Sequence, residues 1–431
     1  MIRILKLGDM PKEEILKRDL PTVKAEKAVS EIIRNVRERG DEALYDYTKQ
    51  FDGVELSSLS VSDEEINDAV KEVGPEFMGL LNRAAANIRE FHEKQQRQGF
   101  FFTKENGVVL GQRVVPMDRA GIYVPGGTAP LSSTVLMDVI PARIAGCPEV
   151  IVATPPGKDG RIAPAVLAAA SVAGADRIFK VGGAQAIAAM AYGTETVPRV
   201  DKIVGPGNAY VTEAKRQVYG TVAIDMIAGP SEILVVSDGG SDPRVLAADL
   251  LSQAEHDVNA SAVLITDCPS LAEETAKEIE RQLPLLSREK IARASVEQNG
   301  KIIITGSIDE ALEISNELAP EHLELAVADP FSLIGRVRHA GSVFLGRNTP
   351  EALGDYMAGP NHTLPTGGTA RFSSPLSVDD FVKKIQVTSF TSDALEAVRQ
   401  DVADFAMAEG LDGHARSALI RSEITRKEKD K

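Results

Sequence analysis

The sequence predicts an α/β protein whose parallel sheets are covered by helices on both faces. Strand-like runs alternate with helices of small residues after Val114, and a second series of the same kind starts at Glu232. Strands that are separated by helices pair in parallel, and the helices then cover both faces of the sheet. The 431 residues, 43% of them apolar, are enough for two or three domains with cores of their own.

The N-terminal quarter is predicted to be helical after a short arm. Residues 1–21 carry scattered apolar residues and two prolines, which indicate an arm and not a core element. A helix with one apolar stripe follows Thr22 and ends at Gly40. A capping box at Ser62 begins another helix, and a longer one runs from about Glu76 to Gln98, with Phe91 among its inward residues.

The two βα series define most of the predicted fold. Strands of the first series are Gly121–Val124, Glu149–Ala153, Arg177–Val181 and Lys202–Val204, and its helices are Val135–Ala145, Ala163–Ala173 and Ala184–Tyr192. Strands of the second series are Glu232–Val236, Ala262–Thr266 and Lys301–Thr305. Residues 350–368 read as a long functional loop, and a polar helical tail starts at about Ser377.

Composition excludes several classes of partner. The formal charge of −15 repels nucleic acid and anionic membranes. The mean hydropathy is −0.09, and no apolar run approaches the roughly 18 residues that cross a bilayer. The first 20 residues lack the apolar centre of a signal peptide, and two cysteines are typical of a reducing compartment. We therefore expect a cytoplasmic protein that binds neither nucleic acid nor membrane.

One predicted helix, over residues 242–257, has an apolar face that turns polar at its end. Leu246, Leu250 and Gln253 share that face, and His256 follows three residues later on the same side. The pattern fits either a metal-binding pair or a hydrogen-bonded buried glutamine beside a surface histidine.

Glu321 and His322 form an adjacent acid and imidazole among apolar residues. Burial of such a pair could tune both groups for proton transfer. The alternative is a helix that begins after Pro320, with Glu321 placed there to suit the helix dipole.

Three further residues suit zinc. Asp355 and His362 lie in the 350–368 loop, and His414 lies in the tail. Imidazole and carboxylate are common zinc ligands, whereas glutamine is rare. No spacing rule links residues this far apart, so their chemistry alone leaves the zinc set open.

Three turns with small residues follow predicted strands, in segments 121–127, 181–185 and 204–208. A backbone without bulky side chains can approach a ligand at the carboxyl ends of strands. However, no G-x-G-x-x-G motif occurs, and turn geometry alone also explains these glycines. The turns favour a nucleotide only weakly.

The remaining candidate residues are assigned structural positions. Cys147 lies between a helix and a strand with no neighbouring histidine, so a small buried residue is favoured over a nucleophile. His92 and His339 lie among charged residues and are predicted to be solvated.

Eight segments together resemble the histidinol dehydrogenase family. They occur in the family's order over about residues 20–420, and several are long and distinctive. They read GIYVPGG, VGGAQAIAAMAYGT, VGPGNAYVTEAKRQV, AGPSEILV, DLLSQAEHD, APEHLEL, GDYMAGPNHTLPTGG and EGLDGHARSAL.

The resemblance implies two incomplete Rossmann-like domains in an aldehyde dehydrogenase-like arrangement, with a small N-terminal arm and a helical C-terminal tail domain. The assigned ranges are 1–21 for the arm, 22–115 with 231–376 for the first Rossmann-like domain, 116–230 for the second and 377–431 for the tail.

The resemblance also implies a homodimeric enzyme with shared active sites that oxidises L-histidinol to L-histidine through bound L-histidinal. It would use one zinc per subunit and two NAD. By matching motifs, zinc ligands would be Gln253, His256 and Asp355, with His414 from the partner subunit. Glu321 and His322 would be the acid–base pair, Ser231 and Glu409 would join the ligands around the substrate, and NAD would contact Tyr123, Gln185 and Asn208. His362 would lie near the site in the matching loop, without a firm role.

Three competing functions are weighed against this one. A dehydrogenase of the same scaffold could act on another hydroxyl compound such as a sulfonated diol, but the Glu409 carboxylate suits an amine and repels a sulfonate. A zinc hydrolase could use Glu321 to activate water without NAD. A non-catalytic scaffold has no use for an acid–base pair beside four possible metal ligands.

Overall fold

The structure, a computed structural model, describes residues 1–9, 11–17, 25–126 and 131–429, with side chains described as far as Arg421. It divides into two compact units. The first comprises Met1–Gln95 and Met117–Phe381, and the second comprises Gln96–Pro116 and Val382–Lys431.

The described elements follow the alternation that the sequence predicts. The strands are β1 (Arg3–Lys6), β2 (Phe100–Thr103), β3 (Val109–Pro116), β4 (Arg119–Tyr123), β5 (Glu149–Thr154), β6 (Arg177–Lys180), β7 (Lys202–Val204), β8 (Ala223–Ile224), β9 (Glu232–Ser237), β10 (Ser261–Thr266), β11 (Lys301–Ile304), β12 (His322–Ala326), β13 (Ser342–Leu345) and β14 (Val382–Ser389). The helices are α1 (Lys12–Leu16), α2 (Glu26–Arg39), α3 (Asp41–Phe51), α4 (Asp63–Glu93), α5 (Ser132–Ala145), α6 (Pro164–Ala173), α7 (Gly183–Tyr192), α8 (Ala209–Val218), α9 (Pro243–Ala254), α10 (Pro269–Gln282), α11 (Glu289–Gln298), α12 (Ile308–Leu318), α13 (Ala352–Tyr356), α14 (Ser392–Ala408) and α15 (Asp412–Lys429).

Two parallel sheets form the first unit, which confirms the predicted fold class. The five-stranded sheet has the order β6-β5-β4-β7-β8, and the six-stranded sheet has the order β1-β11-β10-β9-β12-β13. When the strands of each βα series are counted from its first, both sheets follow the Rossmann-like order 3-2-1-4-5, with β1 added at one edge of the larger sheet.

Short side chains and helix caps explain how the helices cover these sheets. Ala168–Ala170 of α6 and Ala186–Ala189 of α7 are buried, because alanine lets a helix lie close to a sheet on one face and to a second helix on the other. Helix α9 begins at Pro243, and the Asp242 carboxylate accepts a hydrogen bond from the Arg244 backbone nitrogen at 2.9 Å.

The N-terminal segments pack against other parts of the fold than the predicted domain ranges assign to them. The apolar faces of α2 and α4 pack into the cores of the five-stranded sheet, although residues 22–115 were assigned to the domain of the second series. The predicted arm contributes β1 to the six-stranded sheet and buries Ile2 and Ile15, because a few apolar side chains suffice for an edge strand and one helical turn. Met10 and residues 18–21 of that arm lie outside the described residues.

The second unit combines an antiparallel sheet, in the order β14-β3-β2, with the paired helices α14 and α15. It therefore joins residues 96–116 to the predicted tail, because β3 pairs with β14 over eight residues. In the described part of the chain, no helix combines the length and the apolar character that a membrane span requires.

Candidate functional site

A cavity of about 130 Å³ lies at the amino ends of β9 and β12. Ser231 directly precedes β9, and Glu321 and His322 stand at the start of β12. The predicted residues that line this cavity are Ser231, Gln253, His256, Glu321, His322 and Asp355, and Glu351 and His362 line it with them.

His322 is held in one tautomer. Its Nδ1 lies 3.0 Å from the backbone oxygen of Glu232, and since a carbonyl only accepts, Nδ1 carries the proton. The lone pair is then on Nε2, which lies 3.8 Å from the Glu351 carboxylate. Burial lowers the pKa of His322 to about 4, so the ring is neutral at neutral pH. This arrangement is that of a general base.

Glu321 is buried next to this imidazole. Its carboxylate accepts a hydrogen bond from the Glu232 backbone nitrogen at 2.8 Å and lies 3.6 Å from Nδ1 of His322. Burial raises the pKa of Glu321 well above its ordinary value. The alternative of a helix beginning after Pro320 is wrong, because Ala319 ends α12 in the left-handed conformation and a strand follows.

Glu351 is a site residue that the sequence analysis missed. It is 2% exposed, and its Oε1 accepts no hydrogen bond from the described residues. Possible ligand atoms of His322, Glu351 and Asp355 all lie within 4.8 Å of one another. Burial and repulsion from Asp355 raise the pKa of Glu351 to about 8. The available signal was its position at the start of the 350–368 loop, one helical turn before Asp355.

His362 orients Asp355. Its Nδ1 lies 3.4 Å from the Asp355 carboxylate, and its Nε2 lies 3.3 Å from the Thr134 hydroxyl. Burial disfavours the charged ring, but the hydrogen bond to Asp355 outweighs it and raises the pKa of His362. The histidine to which the sequence analysis gave no role therefore holds a predicted metal ligand.

The cavity has the chemistry of a cation site. Gln253 is 1% exposed, and its side-chain oxygen has no hydrogen-bond donor within the described ranges. His256 follows the end of α9 and is exposed at the same cavity. An unpaired amide oxygen, an imidazole and the Asp355 carboxylate are a donor set that zinc accepts, and neighbouring carboxylates favour a bound cation.

A larger cavity, of about 910 Å³, lies at the carboxyl ends of the five-stranded sheet. Tyr123, Gln185 and Asn208, the predicted NAD contacts, all line it. The Tyr123 hydroxyl accepts a hydrogen bond from the backbone nitrogen of Gly183 at 3.1 Å. Asn208 caps α8 by accepting from the backbone nitrogens of the second and third residues after it.

Backbone approach explains one glycine of the turn between β7 and Asn208. Gly205 has φ +116°, and a Cβ there would lie 2.0 Å from the backbone oxygen of Tyr123. No side chain fits at that distance, so a close strand–turn contact demands glycine. Gly127, in the first of the predicted turns, lies outside the described residues.

Glu409 and His414 belong to the second unit. They flank the turn between α14 and α15, and both side chains are exposed. The structure thus gathers six of the eight predicted substrate, metal and acid–base residues in one cavity and leaves these two in the other unit.

Two of the remaining predictions are tested by burial. Cys147 is buried, and burial raises the pKa of its thiol to about 11, which confirms a structural residue. His92 is also buried, so its prediction as a solvated residue is wrong. His339 is partly exposed.

Comparison with known proteins gives concordant matches. A family model described as histidinol dehydrogenase matches residues 16–422. The histidinol dehydrogenase of Geobacillus kaustophilus is 55% identical over 402 residues, which are 93% of this chain and 95% of that protein. The crystal structure of histidinol dehydrogenase from Elizabethkingia anophelis matches with a TM-score of 0.93 and 39% identity, over 99% of each chain. An acetylating aldehyde dehydrogenase from Geobacillus thermoglucosidasius shares the fold alone, with a TM-score of 0.50 and 14% identity over 85% of this chain and 97% of that chain.

Proposed function

This chain belongs to the histidinol dehydrogenase family, and we propose that it oxidises L-histidinol to L-histidine through bound L-histidinal, with NAD as the hydride acceptor in both steps. The observation that carries the proposal is the neutral His322, whose Nε2 lone pair faces a cavity shared with Glu321, Gln253 and Asp355.

His322 is the proposed base for hydride transfer. Its Nδ1 proton is committed to the Glu232 carbonyl, so Nε2 takes the hydroxyl proton of the alcohol as hydride leaves. The same atom takes the proton of the aldehyde hydrate in the second oxidation.

Glu321 is the proposed base for the water that hydrates the aldehyde. That role needs the carboxylate form, which burial opposes. A positive charge in the cavity lowers the pKa of a buried carboxyl and restores that form. Because the aldehyde is reactive, a small cavity that retains it until hydration prevents its loss.

Gln253, His256 and Asp355 are the proposed zinc ligands, with one zinc per chain, and the unpaired oxygen of Gln253 supports this assignment. When bound, zinc supplies an anchor for the imidazole and amine nitrogens of histidinol. Ser231 lines the same cavity and is a proposed substrate contact. His362 keeps the Asp355 carboxylate in place.

A homodimer with shared sites is part of the proposal. His414 of the partner subunit would be the fourth zinc ligand, and Glu409 of the partner subunit would receive the substrate amine. Both side chains are exposed within their own unit, which leaves them available to a second chain. A two-fold dimer makes the exchange reciprocal.

Tyr123, Gln185 and Asn208 are the proposed NAD contacts, because all three line the larger cavity at the carboxyl ends of the five-stranded sheet. When bound, NAD accepts the hydride. We also propose a cytoplasmic location, which suits the free Cys147 and Cys268.

The test is the stoichiometry of the complete reaction. Purified protein with zinc, NAD and L-histidinol is expected to form two NADH for each histidine. A zinc hydrolase forms no NADH. A dehydrogenase for a sulfonated diol oxidises that diol and leaves histidinol unchanged, which would overturn the substrate assignment.

A further inference from the structure

The larger cavity contains a carboxylate that the proposed function leaves without a role. Asp52 follows the end of α3 and lines the cavity together with Tyr123 and Gly183. Its Oδ2 is shielded from solvent and accepts no hydrogen bond from any residue that the structure describes. A buried carboxylate oxygen without a donor is unfavourable, so this atom is available to a donor on a ligand.

The surroundings of Asp52 disfavour its negative charge. Burial raises the pKa of Asp52 to about 6, which still leaves the group ionised at neutral pH. Asp52 is also the C-terminal cap of α3, where the helix dipole disfavours an anion. A purely structural cap at this position is better served by a neutral residue.

The position of Asp52 indicates which part of a dinucleotide it meets. Asp52 and Tyr123 line the same cavity, and the Tyr123 hydroxyl accepts a hydrogen bond from the first residue of α7. The N-terminus of a helix is a site for phosphate groups. In a dinucleotide each ribose directly adjoins the phosphates, so ribose hydroxyls are the donors nearest to that point.

The choice between the two riboses follows from the cavity walls. The nicotinamide must reach the catalytic cavity, which Gly205 and Pro206 line just before Asn208. Asp52 instead belongs to the wall formed by α2 and α3, where the stacked rings of Tyr47 and Phe51 offer a flat apolar surface suited to adenine.

We propose that Asp52 accepts hydrogen bonds from the hydroxyls of the adenosine ribose and selects a dinucleotide with a free 2′-hydroxyl over its 2′-phosphorylated form. The inference rests on the proposed use of NAD. A carboxylate stabilises a diol by hydrogen bonding and repels a phosphate at the same position.

The test compares Asp52→Asn and Asp52→Ala with wild type and with Glu55→Gln. Glu55 lies three residues further on, is exposed, and pairs with Lys49, so its substitution is expected to change nothing. Binding of NAD and NADP to the zinc-loaded protein is measured by titration calorimetry, and KM and kcat are measured with histidinol.

Both Asp52 variants are expected to weaken NAD binding by roughly 10–100-fold, to raise KM for NAD with kcat unchanged, and to narrow the preference for NAD over NADP. Nicotinamide hypoxanthine dinucleotide lacks the adenine amine. Its affinity is expected to fall in the Asp52 variants by the same factor as the affinity for NAD. If its affinity is unchanged by Asp52→Asn, the contact is to the amine and the ribose assignment is overturned.

Unchanged NAD affinity in both variants would overturn the inference alone. A wild-type protein that binds neither dinucleotide would overturn the proposed function itself. Thermal unfolding of each variant separates these outcomes from a loss of fold, because a merely structural role lowers the melting temperature without changing the NAD to NADP ratio.

Discussion

The two Rossmann-like sheets share one strand order but use opposite edges. In the five-stranded sheet, Tyr123 is the last residue of β4 and Asn208 follows β7, at the carboxyl ends where ligands of open α/β sheets ordinarily bind. In the six-stranded sheet, Ser231 and His322 stand at the amino ends of the equivalent strands β9 and β12. Strand order alone therefore locates the first cavity and misplaces the second.

The two cavities also differ in what they are made of. The larger is lined by backbone turns, by neutral side chains such as Gln185 and by charged side chains that include Asp52, and no histidine is among its described lining residues. The smaller concentrates four carboxylates, those of Asp225, Glu321, Glu351 and Asp355, beside three histidines. Side-chain substitutions in the smaller cavity are therefore expected to remove chemistry with little effect on the fold, whereas a substitution at a glycine whose backbone is in close contact is expected to cost folding free energy.

The largest expected effect comes from removing His256. His256→Ala takes a nitrogen ligand from the smaller cavity, where the other two imidazoles are held by the Glu232 carbonyl and the Asp355 carboxylate. We expect zinc content well below one per chain and almost no turnover, with an unchanged circular dichroism spectrum. Metal analysis of the purified variant checks this, and full zinc with near-normal activity would show that the ligand assignment is wrong.

The next effect separates the two acid–base residues. His322→Asn is expected to slow both half-reactions by about 10²–10⁴-fold, because each hydride transfer needs a proton removed. Glu321→Gln is expected to spare histidinol oxidation more than histidinal oxidation, since water enters only after the aldehyde has formed. Each half-reaction is assayed with its own substrate, and equal losses in Glu321→Gln would refute this division of labour.

A third prediction tests whether the smaller cavity needs a second chain. His322→Asn and His414→Asn, each inactive alone, are mixed under conditions in which subunit exchange is shown by mass-tagged chains. Random pairing makes about half of the dimers mixed, each with one intact site, so activity should return to roughly a quarter of wild type. Exchange without recovery would show that each tail serves its own chain.

The features that follow from a local sequence pattern could be predicted, whereas those that depend on contacts between distant segments of the folded chain could not. The strands β4 to β7 and β9 to β11 were found because parallel strands read as continuous apolar runs. The buried strand β12 was missed because His322 and Glu324 interrupt its apolar run. Strand β1 was missed because four residues at a sheet edge carry little pattern. Glu351 escaped because its position one helical turn before Asp355 was the only signal in the sequence, and its proximity to His322 exists only once β12 has formed.

His92 shows a different kind of error. The buried stripe of α4 runs through Leu81, Ala85, Ile88 and His92, at spacings of four, three and four. The expectation chose Phe91 for its apolar ring, yet Phe91 is 40% exposed. The position along the helix, and not the hydrophobicity of the side chain, therefore determines that His92 is buried and Phe91 is not.

A fourth, smaller effect concerns the backbone of the turn between β7 and Asn208. Gly205→Ala is expected to cost about 1–2 kcal/mol for its positive φ, and about 1–3 kcal/mol more for the contact with Tyr123. Gly220 has φ +97° with no atom within 4 Å of a Cβ, so Gly220→Ala is the matched control with the conformational cost alone. Urea unfolding measures both, and equal losses would exclude the close approach.

The smallest effect is the pH dependence that His92 gives to folding. The side chain is fully buried, its Nδ1 donates to the Gln95 side-chain oxygen at 2.7 Å, and burial lowers its pKa from 6.5. Between the folded pKa and 6.5 the unfolded chain binds more protons, so the free energy of unfolding rises with pH in that window and falls on acidification. Above the unfolded pKa both states are neutral, and the contribution of His92 to the free energy of unfolding is fully present.

Urea unfolding of wild type and His92→Gln is measured from pH 5 to 8. The plots of unfolding free energy against pH should run parallel above about pH 7.5 and converge below 6.5. Curves that stay parallel down to pH 5 would mean that His92 binds protons equally in the folded and unfolded chains.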